Sequence, residues 1–407
     1  MFIFVWTRDR GWQSDDREVR TNPIPGHKSP VTSHPAVKQA IVSVINDLTT
    51  DQRADRTCQT LVKSGFRVTL VGRKLRESLP LKERSYSLHR MCLLFTRGPW
   101  FYAEYNIRLF FLLLFSKCDL LLSNDLDTLP ANYLVSRLRH IPLIHDCHEY
   151  FRGMPELTGR KTVLRIWKAI EDRIFPELKT VAAVNGSIAA LYQKEYGNRI
   201  HVVRNTPVRK SPVEPVSKAS LAIPEDSRVI LYQGAVNVDR GLEEAILAMK
   251  HVKIPSVLLV IGRGDVLDSL KELVIREHLE ERVVFAGQIP LQDLFPYTCR
   301  ADIGLSIEKD VSINYRLCLP NKFLDYIQAR VPVLVSPFPE MKAVVDQYGI
   351  GEFIESHDPV LLARDFDRML SDHEKLLNYR KNLEEAATDL CWENEEETLI
   401  KLIRPYA

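Results

Sequence analysis

Two basic residues, Arg240 and Lys322, stand at positions where they could bind a phosphate group. Each lies at the predicted start of a helix. Arg240 follows an apolar, strand-like segment by six residues, and Lys322 lies at the end of a polar loop that follows another such segment. The N-terminus of a helix carries roughly half a positive charge and free N–H groups, so it favours anions. The Arg240 guanidinium would add a forked pair of donors for phosphate oxygens. The alternative for Arg240 is a solvated arginine in the first turn of a helix, which is common on protein surfaces.

The elements that would position these cations are short apolar segments, each stopped by glycine or a polar loop and followed by a stretch of helix length. In the second half of the chain they span residues 229–234, 258–261, 283–285, 302–307 and 331–335. This pattern predicts a parallel sheet built from βα units. Ligands of such sheets bind beyond the carboxyl ends of the strands. We therefore expect a nucleotide site there that includes Gly234, Gly262, Gly264 and Gly287, although Gly262 and Gly264 also fit an ordinary turn.

The first half of the chain shows the same alternation of strands and helices. Strands are predicted at residues 40–45, 65–72, 118–123, 141–144, 180–184 and 200–203. The opening βαβ unit lacks the G-x-G-x-x-G fingerprint, which argues against a dinucleotide site in this half. The fold class that follows is α/β, with two Rossmann-like parallel-sheet domains facing a cleft.

Composition and breakers divide the chain into five segments. Residues 206–227 are rich in Pro and Ser and have the composition of a linker. Residues 1–37 lack periodicity and are interpreted as a poorly ordered leader. The remaining segments are a first domain, a second domain and a C-terminal helix, at residues 38–205, 228–374 and 375–407.

Bulk properties exclude several classes of protein. A net charge of +2 gives no argument for a nucleic-acid partner. The seven cysteines are scattered and never form C-x-x-C, which is typical of reduced thiols and not of disulfides or a zinc site. The longest apolar run, residues 109–115, is well short of the ~20 residues that span a membrane. We interpret it as a buried helix, with a membrane-facing patch as the alternative. No secretory signal fits the N-terminus, so we expect a cytoplasmic protein, either free or peripheral at the inner face of the membrane.

Seven motifs follow one another along the chain in a characteristic order and spacing. They are Asn46-Asp47-Leu48-Thr49-Thr50-Asp51-Gln52-Arg53, Asp146-Cys147-His148-Glu149, Arg240-Gly241-Leu242-Glu243, Gly262-Arg263-Gly264, Pro320-Asn321-Lys322-Phe323-Leu324-Asp325-Tyr326, Pro332-Val333 and Trp392-Glu393. Together they resemble glycosyltransferase family 4, the retaining nucleotide-sugar enzymes of the GT-B fold, and the resemblance covers residues 38–400.

The resemblance implies a division of labour in which the second domain binds a UDP- or GDP-sugar and the first binds a glycan or lipid-linked acceptor. It places Lys322 near the phosphates, with Asn321 beside it, and Asp325 on the ribose hydroxyls. Asp325 stands where the family usually has Glu, and Leu317 stands where the family has a second acidic residue. The implied activity is that of a hexosyltransferase. We expect it to need neither a cofactor nor a metal ion, because no cluster of metal ligands stands out in the sequence. The C-terminal helix would cross back to the first domain, with Trp392 as an anchor; the alternative is a helix that rests only on the second domain.

His148 lies just beyond a predicted strand, between Asp146 and Glu149. It is either a structural loop histidine bound to a neighbouring carboxylate, or a cleft imidazole that positions sugar and acceptor hydroxyls, as the resemblance implies. Asp125-Leu126-Asp127 matches the D-x-D metal motif of the other large glycosyltransferase fold. A helix N-cap also favours Asp, and we interpret this motif as a cap or loop. No other spacing of His, Cys or Asp indicates a metal ligand set.

Two other functions remain as alternatives. A nucleotide-sugar epimerase of similar architecture would need cleft carboxylates acting as acid and base, which the sequence does not single out. A catalytically inactive sugar-nucleotide-binding protein is consistent with Leu317 and Asp325. Incubation with UDP- and GDP-sugars separates these functions by transfer or hydrolysis, epimerisation, or binding alone.

Overall fold

A computed structural model describes residues 37–407 except Thr50, Glu77, Pro155, Glu156 and Thr158. The predicted leader therefore lies outside the described residues, apart from Val37. The described chain contains two parallel β-sheets, and helices connect most of their successive strands, which confirms the predicted α/β class.

The first sheet has seven strands in the order β3-β2-β1-β4-β5-β6-β7, and every pairing is parallel. Its strands are β1 Gln39–Ser43, β2 Arg67–Arg73, β3 Ser87–Met91, β4 Leu120–Asn124, β5 Leu143–Cys147, β6 Thr180–Ala183 and β7 Ile200–Val202. The accompanying helices are α1 Gln52–Lys63, α2 Gly98–Phe115, α3 Asp125–Arg139, α4 Lys161–Ile174 and α5 Gly186–Tyr196.

The second sheet has six strands in the order β10-β9-β8-β11-β12-β13, again all parallel. Its strands are β8 Arg228–Gln233, β9 Ser256–Ile261, β10 Val283–Gly287, β11 Ile303–Ser306, β12 Val333–Val335 and β13 Gly351–Phe353. The helices are α6 Leu242–Ala248, α7 Leu267–Arg276, α8 Phe295–Thr298, α9 Ile313–Arg316, α10 Asn321–Gln328, α11 Pro339–Tyr348, α12 Pro359–Ser371, α13 His373–Asp389 and α14 Trp392–Ile403.

Both sheets reverse their strand order at one point, between β1 and β4 in the first and between β8 and β11 in the second. The two connections at a reversal leave on opposite faces, so a crevice opens beyond the carboxyl ends of those strands. The loops after β8 and β11 carry Arg240 and the segment that leads to Lys322, so topology brings these two cations to one crevice.

Two strands, β3 and β13, lack the continuous apolar run that is typical of buried parallel strands. β3 reads Ser-Leu-His-Arg-Met and lies at the edge of the first sheet, where alternate side chains face solvent. β13 is a three-residue edge strand. Edge strands need no continuous apolar run, which is why a search for buried strands misses them.

The prediction of one continuous C-terminal helix is wrong. The chain forms α13 and α14, and the break falls at Leu390 and Cys391, where Cys391 has extended backbone. The last part of α13 packs in the core of the second domain. Trp392, the first residue of α14, is buried in a core of the first domain. The guanidinium of Arg56 lies 5.3 Å from the Trp392 ring centroid. The backbone N–H of Trp392 donates to the Pro207 carbonyl at 2.8 Å.

The prediction that residues 109–115 form a buried helix is correct for one face of α2 only. Leu109 and Leu113 are buried, whereas Phe111 and Phe115 are exposed. Within the described residues, no helix is long and apolar enough to cross a bilayer. The exposed face of α2 is therefore an apolar surface without a covering element among those residues.

Candidate functional site

Glu308 lies at the centre of the candidate site, two residues beyond the end of β11. Its carboxylate is fully buried and forms ion pairs with Lys322 Nζ at 2.7 Å and with Arg240 Nη1 at 3.5 Å. The Ser306 hydroxyl donates to the other carboxylate oxygen at 3.0 Å. Burial alone would raise the pKa of Glu308, but Lys322 and Arg240 lower it below its usual value. Glu308 is therefore ionised and holds both cations in place.

Backbone geometry brings Arg240 to this carboxylate. Gly241 has φ 75°, and a Cβ there would overlap the carbonyl oxygen and side chain of Ile307. The Lys309 N–H donates to the Asp239 carbonyl at 2.9 Å, which binds the loop after β8 to the loop after β11. A side chain at position 241 would push these loops apart.

Each cation also lies over an aromatic ring. Lys322 Nζ is 4.0 Å from the Tyr232 ring centroid, and the Arg240 guanidinium carbon is 4.5 Å from that of Tyr315. Burial opposes charge on Lys322, but Glu308 raises the pKa of Lys322 above its ordinary value. Two cations share one carboxylate, so the cluster keeps a surplus positive charge that an anionic ligand could neutralise.

The cluster opens into a cleft of about 510 Å³ between the two domains. Of the predicted site residues, the cleft is lined by His148, Glu149, Gly234, Arg240, Asn321 and Lys322. Five predicted residues do not line it: Asp146, Gly262, Gly264, Gly287 and Asp325. The structure thus gathers the predicted cations and the histidine around one space, on opposite walls.

His148 forms the first-domain side of the cleft. Its Nε2 lies 3.3 Å from Asp146 Oδ2, and its Nδ1 lies 3.6 Å from Asp125 Oδ2. Burial lowers the pKa of His148, but the carboxylates of Asp125 and Asp146 outweigh it and raise the pKa to about 9. The side chain is therefore an imidazolium at neutral pH, and it can donate hydrogen bonds but cannot act as a base.

Asp146 positions His148 from beneath the cleft. The Arg53 guanidinium donates to both Asp146 oxygens, at 2.9 and 2.6 Å, and also to the Val203 carbonyl at 2.7 Å. Burial would raise the pKa of Asp146, but Arg53 and His148 hold it well below its usual range. The bidentate pair fixes the plane of the carboxylate and thereby the imidazole beside it.

The interpretation of the D-x-D motif as a cap or loop is wrong for Asp125, which is the first residue of α3. The N-cap of α3 is Asn124, whose side chain makes no cap hydrogen bond. Asp125 instead has φ 57° and accepts the backbone N–H of His148 at 2.8 Å. Asp127 is buried within the first domain, where burial and Asp125 raise its pKa well above its usual value. Across the described chain, no three or more His, Cys, Asp or Glu side chains are grouped so that they could hold a metal ion.

Gly262 and Gly264 have a backbone role. Gly262 has φ 149°, and a Cβ there would overlap the carbonyl oxygen of Gly234; a Cβ at Gly264 would overlap that of Val236. The Gly287 carbonyl accepts the Gly262 N–H at 2.8 Å. These glycines therefore allow the loops after β8, β9 and β10 to pack closely behind the cleft.

Asp325 lies on α10, one turn after Lys322, and is held from behind the cleft. The Thr298 hydroxyl donates to the Gln233 amide oxygen at 2.8 Å, which orients the amide nitrogen towards Asp325 Oδ2 at 3.3 Å. Burial raises the pKa of Asp325 to about 6, against the opposing effect of Lys210. The nearby Leu317 packs against the first-domain core, and its carbonyl accepts from Asn185 at 2.8 Å.

Two asparagines join the cleft walls. Asn314 on α9 donates to Glu149 Oε2 at 3.1 Å and accepts the Tyr150 N–H at 3.0 Å. Asn205 donates to the Asn321 side chain at 2.9 Å. Asn314 was not predicted from the sequence, because a single asparagine carries no pattern, and Asp125 was considered only as part of the D-x-D motif. Glu308 was not among the predicted site residues, although a carboxylate just beyond the end of a buried strand is a recognisable signal.

Two family models match the chain in succession. The model described as Glycosyltransferase Family 4 matches residues 52–206, and that described as Glycosyl transferases group 1 matches residues 213–389.

Two curated relatives match part of the chain. An uncharacterized glycosyltransferase of Methanocaldococcus jannaschii is 24% identical over 184 residues, which is 44% of this chain and 45% of the relative. The probable glycosyltransferase WbjE of Pseudomonas aeruginosa is 27% identical over 164 residues, 39% of this chain and 40% of the relative. The match thus spans less than half the length of these relatives.

Solved structures match nearly the whole chain. Sucrose-phosphate synthase of Thermosynechococcus elongatus has a TM-score of 0.73 at 18% identity, covering 90% of this chain and 98% of that chain. HepE of Anabaena, solved in complex with UDP, has a TM-score of 0.67 at 12% identity, covering 90% and 100%. At such identities the likeness concerns the fold.

Proposed function

Because the chain belongs to the family 4 glycosyltransferases of the GT-B fold, we propose that it transfers a sugar from a nucleoside-diphosphate sugar to a hydroxyl of a glycan or lipid-linked acceptor. The observation that carries this proposal is the Arg240–Glu308–Lys322 cluster at the β8–β11 crevice, opposite His148 in the shared cleft. The cluster supplies surplus positive charge where a diphosphate would lie, and the opposite wall supplies a hydrogen-bond donor for hydroxyl groups.

The donor would bind with its diphosphate against Arg240 and Lys322. Both cations are held by Glu308 before any ligand arrives, so little reorganisation accompanies binding. The HepE structures contain UDP or UDP-glucose, which supports a UDP-sugar here, with a GDP-sugar as the other candidate. Gln233 lines the cleft, and its amide would contact the ribose hydroxyls. Asp325 does not line the cleft and would act through Gln233, whose amide nitrogen donates to its carboxylate at 3.3 Å.

We propose transfer with retention of configuration. The acceptor oxygen attacks the anomeric carbon on the face from which the diphosphate leaves. The bond between that carbon and the phosphate oxygen breaks, and its electron pair stays on the phosphate. The departing phosphate oxygen takes the acceptor proton, so no protein base is required. Arg240 and Lys322 stabilise the negative charge that develops on the diphosphate.

His148 would act as a donor and positioning group. Its Nε2 is bound to Asp146, whereas its Nδ1 lies 3.6 Å from Asp125, beyond hydrogen-bond distance. The imidazolium would therefore donate from Nδ1 to a hydroxyl of the donor sugar or of the acceptor, and it cannot remove a proton at neutral pH. The carboxylates of Asp125 and Asp146 keep it charged and correctly oriented. This arrangement fits the scheme in which the leaving phosphate serves as the base.

Incubation of the full chain with a panel of UDP- and GDP-sugars tests the proposal. We expect release of nucleoside diphosphate, first by slow hydrolysis and faster once a suitable acceptor is present. Recovery of an epimerised donor would indicate an epimerase, and tight binding without turnover would indicate an inactive sugar-nucleotide-binding protein. Activity is also expected to persist in excess EDTA; loss that manganese or magnesium restores would contradict metal independence.

A further inference from the structure

α2 is apolar on both of its faces, and only one of them is covered. Phe101, Tyr105, Leu109 and Leu113 are buried against the first domain. A helix that is apolar all round is normally enclosed by protein or lipid. In the described structure the opposite face of α2 is open, which requires a physical explanation.

The open face carries a stripe of large apolar side chains, three of them aromatic. Trp100, Ile107, Phe111 and Phe115 are 70%, 58%, 52% and 80% exposed. Their spacing of seven, four and four residues places them on one side of the helix. The rings of Phe111 and Phe115 are stacked at a centroid distance of 6.3 Å. Single exposed apolar residues are common, but a contiguous patch of large ones indicates an interaction surface.

Neighbouring elements extend this stripe at both ends. The Glu104 carboxylate accepts the backbone N–H groups of Leu94 and Phe95 at 2.9–3.0 Å, which fixes these exposed apolar residues beside Trp100. At the other end, Arg139 of α3 donates to the carbonyls of Leu113 and Ser116 at 2.8 and 2.6 Å. This contact places the exposed Leu134 and Leu138 of α3 alongside the second half of α2. We call the whole surface the α2 apolar face.

The charges around the α2 apolar face are mainly positive. Between residues 94 and 117 the chain has three basic residues, Arg97, Arg108 and Lys117, all exposed, and one acidic residue, Glu104. Glu104 is occupied by the two N–H groups and by Arg108 at 2.8 Å. A basic rim around an aromatic and aliphatic face complements a bilayer with anionic headgroups. A second copy of this chain would instead bring like charges together.

We propose that the α2 apolar face docks this protein on an anionic lipid surface. Trp100, Phe111 and Phe115 would enter the interface between headgroups and acyl chains, with Arg97 and Lys117 at the level of the phosphates. α2 lies in the bilayer surface in this arrangement and does not cross the membrane, as its length and buried face require.

The position of the α2 apolar face also bears on the acceptor. Asn106 of α2 donates to the Asp127 carbonyl at 2.8 Å. Asp127 lies in the first turn of α3, next to Asp125, which accepts the backbone N–H of His148. The Trp100 end of the face therefore lies on the cleft side of the first domain. Resting on the proposed function, this geometry favours an acceptor hydroxyl presented by a lipid-linked molecule over one on a free glycan.

Flotation with lipid vesicles tests the docking surface. The full chain is mixed with vesicles of phosphatidylcholine alone, or with one third phosphatidylglycerol. We expect binding to the anionic vesicles that weakens as salt is added. The combined variant Trp100→Ser, Phe111→Ser and Phe115→Ser should bind these vesicles about tenfold or more weakly, because each apolar side chain adds to partitioning. Its matched control replaces Ile275, Leu291 and Val360, exposed residues of the second domain, by Ser and should bind like the parent.

Several outcomes would overturn the docking proposal. These are equal binding by the two variants, no preference for anionic vesicles, or a dimer in light scattering that only the α2 variant abolishes. Unchanged melting by circular dichroism shows that the α2 variant remains folded. Calorimetric measurement of nucleoside diphosphate binding separates the docking proposal from the proposed function. Vesicle binding without nucleotide binding would contradict only the proposed function. Nucleotide binding without vesicle binding would contradict only the docking proposal.

Discussion

The carboxylate of Glu308 lies 2.7 Å from the ammonium of Lys322, and both side chains are buried. Glu308 follows β11 and Lys322 begins α10, so this ion pair fixes the start of a helix to the end of a strand at the cleft. Arg240 joins the same carboxylate from the loop after β8. The site depends on one anion that keeps two cations in place.

Replacing Glu308 with Gln should therefore destabilise the protein. Breaking a buried ion pair by removal of one partner leaves an uncompensated charge and costs about 3–5 kcal/mol. Urea unfolding measures the change. Glu277→Gln, which removes the partner of the exposed Lys250, is the matched control and should cost about 0–1 kcal/mol. Equal losses in both variants would show that the Glu308 cluster is no more than a surface pair.

Replacing Arg240 with Ala should weaken the binding of nucleoside diphosphate by about 1.5–3 kcal/mol, the range for hydrogen bonds to charged groups. Isothermal titration calorimetry measures the affinity directly. Arg276→Ala on α7, remote from the cleft lining, controls for the loss of one positive charge. If the folded Arg240 variant binds as tightly as the parent protein, Arg240 has no part in the site.

Replacing His148 with Ala should lower kcat by about tenfold or more and leave donor affinity close to that of the parent, because His148 lies across the cleft from the two cations. Steady-state kinetics and calorimetry together separate the two effects. His373→Ala, at the exposed start of α13, should change neither. Near-normal turnover in the His148 variant would leave it a structural loop histidine.

The charge of His148 also predicts a pH dependence. Its pKa is raised from 6.5 to about 9, so its contribution to stability is fully present below pH 6.5 and is lost as the pH rises through about 9. kcat should fall over the same upper range as the imidazolium loses its proton. Asp125→Asn removes one of the carboxylates that raise the pKa and should move this fall to lower pH. A pH profile that is identical in the two proteins would contradict the role of Asp125.

Replacing Trp392 with Ala should cost about 3–5 kcal/mol of folding free energy, because the ring is buried in the first-domain core. Trp100→Ala is a matched control, since Trp100 is exposed, and should lie within about 0.5 kcal/mol of the parent protein. Chemical denaturation followed by circular dichroism provides both values. A small loss at Trp392 would mean that α14 contributes little to the first domain.

The sequence alone determined the two parallel sheets, the order of nearly all their strands along the chain and the crevice that holds Arg240 and Lys322. Buried parallel strands must be apolar and must be followed by helices, so local pattern and topology carry the same information. The glycines at Gly262 and Gly264 were recognised, but their role is to let two backbones approach, which only the packed loops reveal.

Tertiary structure alone decided how the charges are shared. Glu308 forms ion pairs with Arg240, 68 positions before it, and with Lys322, 14 positions after it. Asp125 follows β4 and contacts His148, which follows β5. Such pairings depend on side-chain directions at the ends of neighbouring strands, which no local spacing records. Tertiary structure also decided the break of the C-terminal helix at Cys391 and the open face of α2. Both depend on which surfaces the rest of the chain covers. A local apolar pattern cannot show this, because it is identical whether a face is covered or left open.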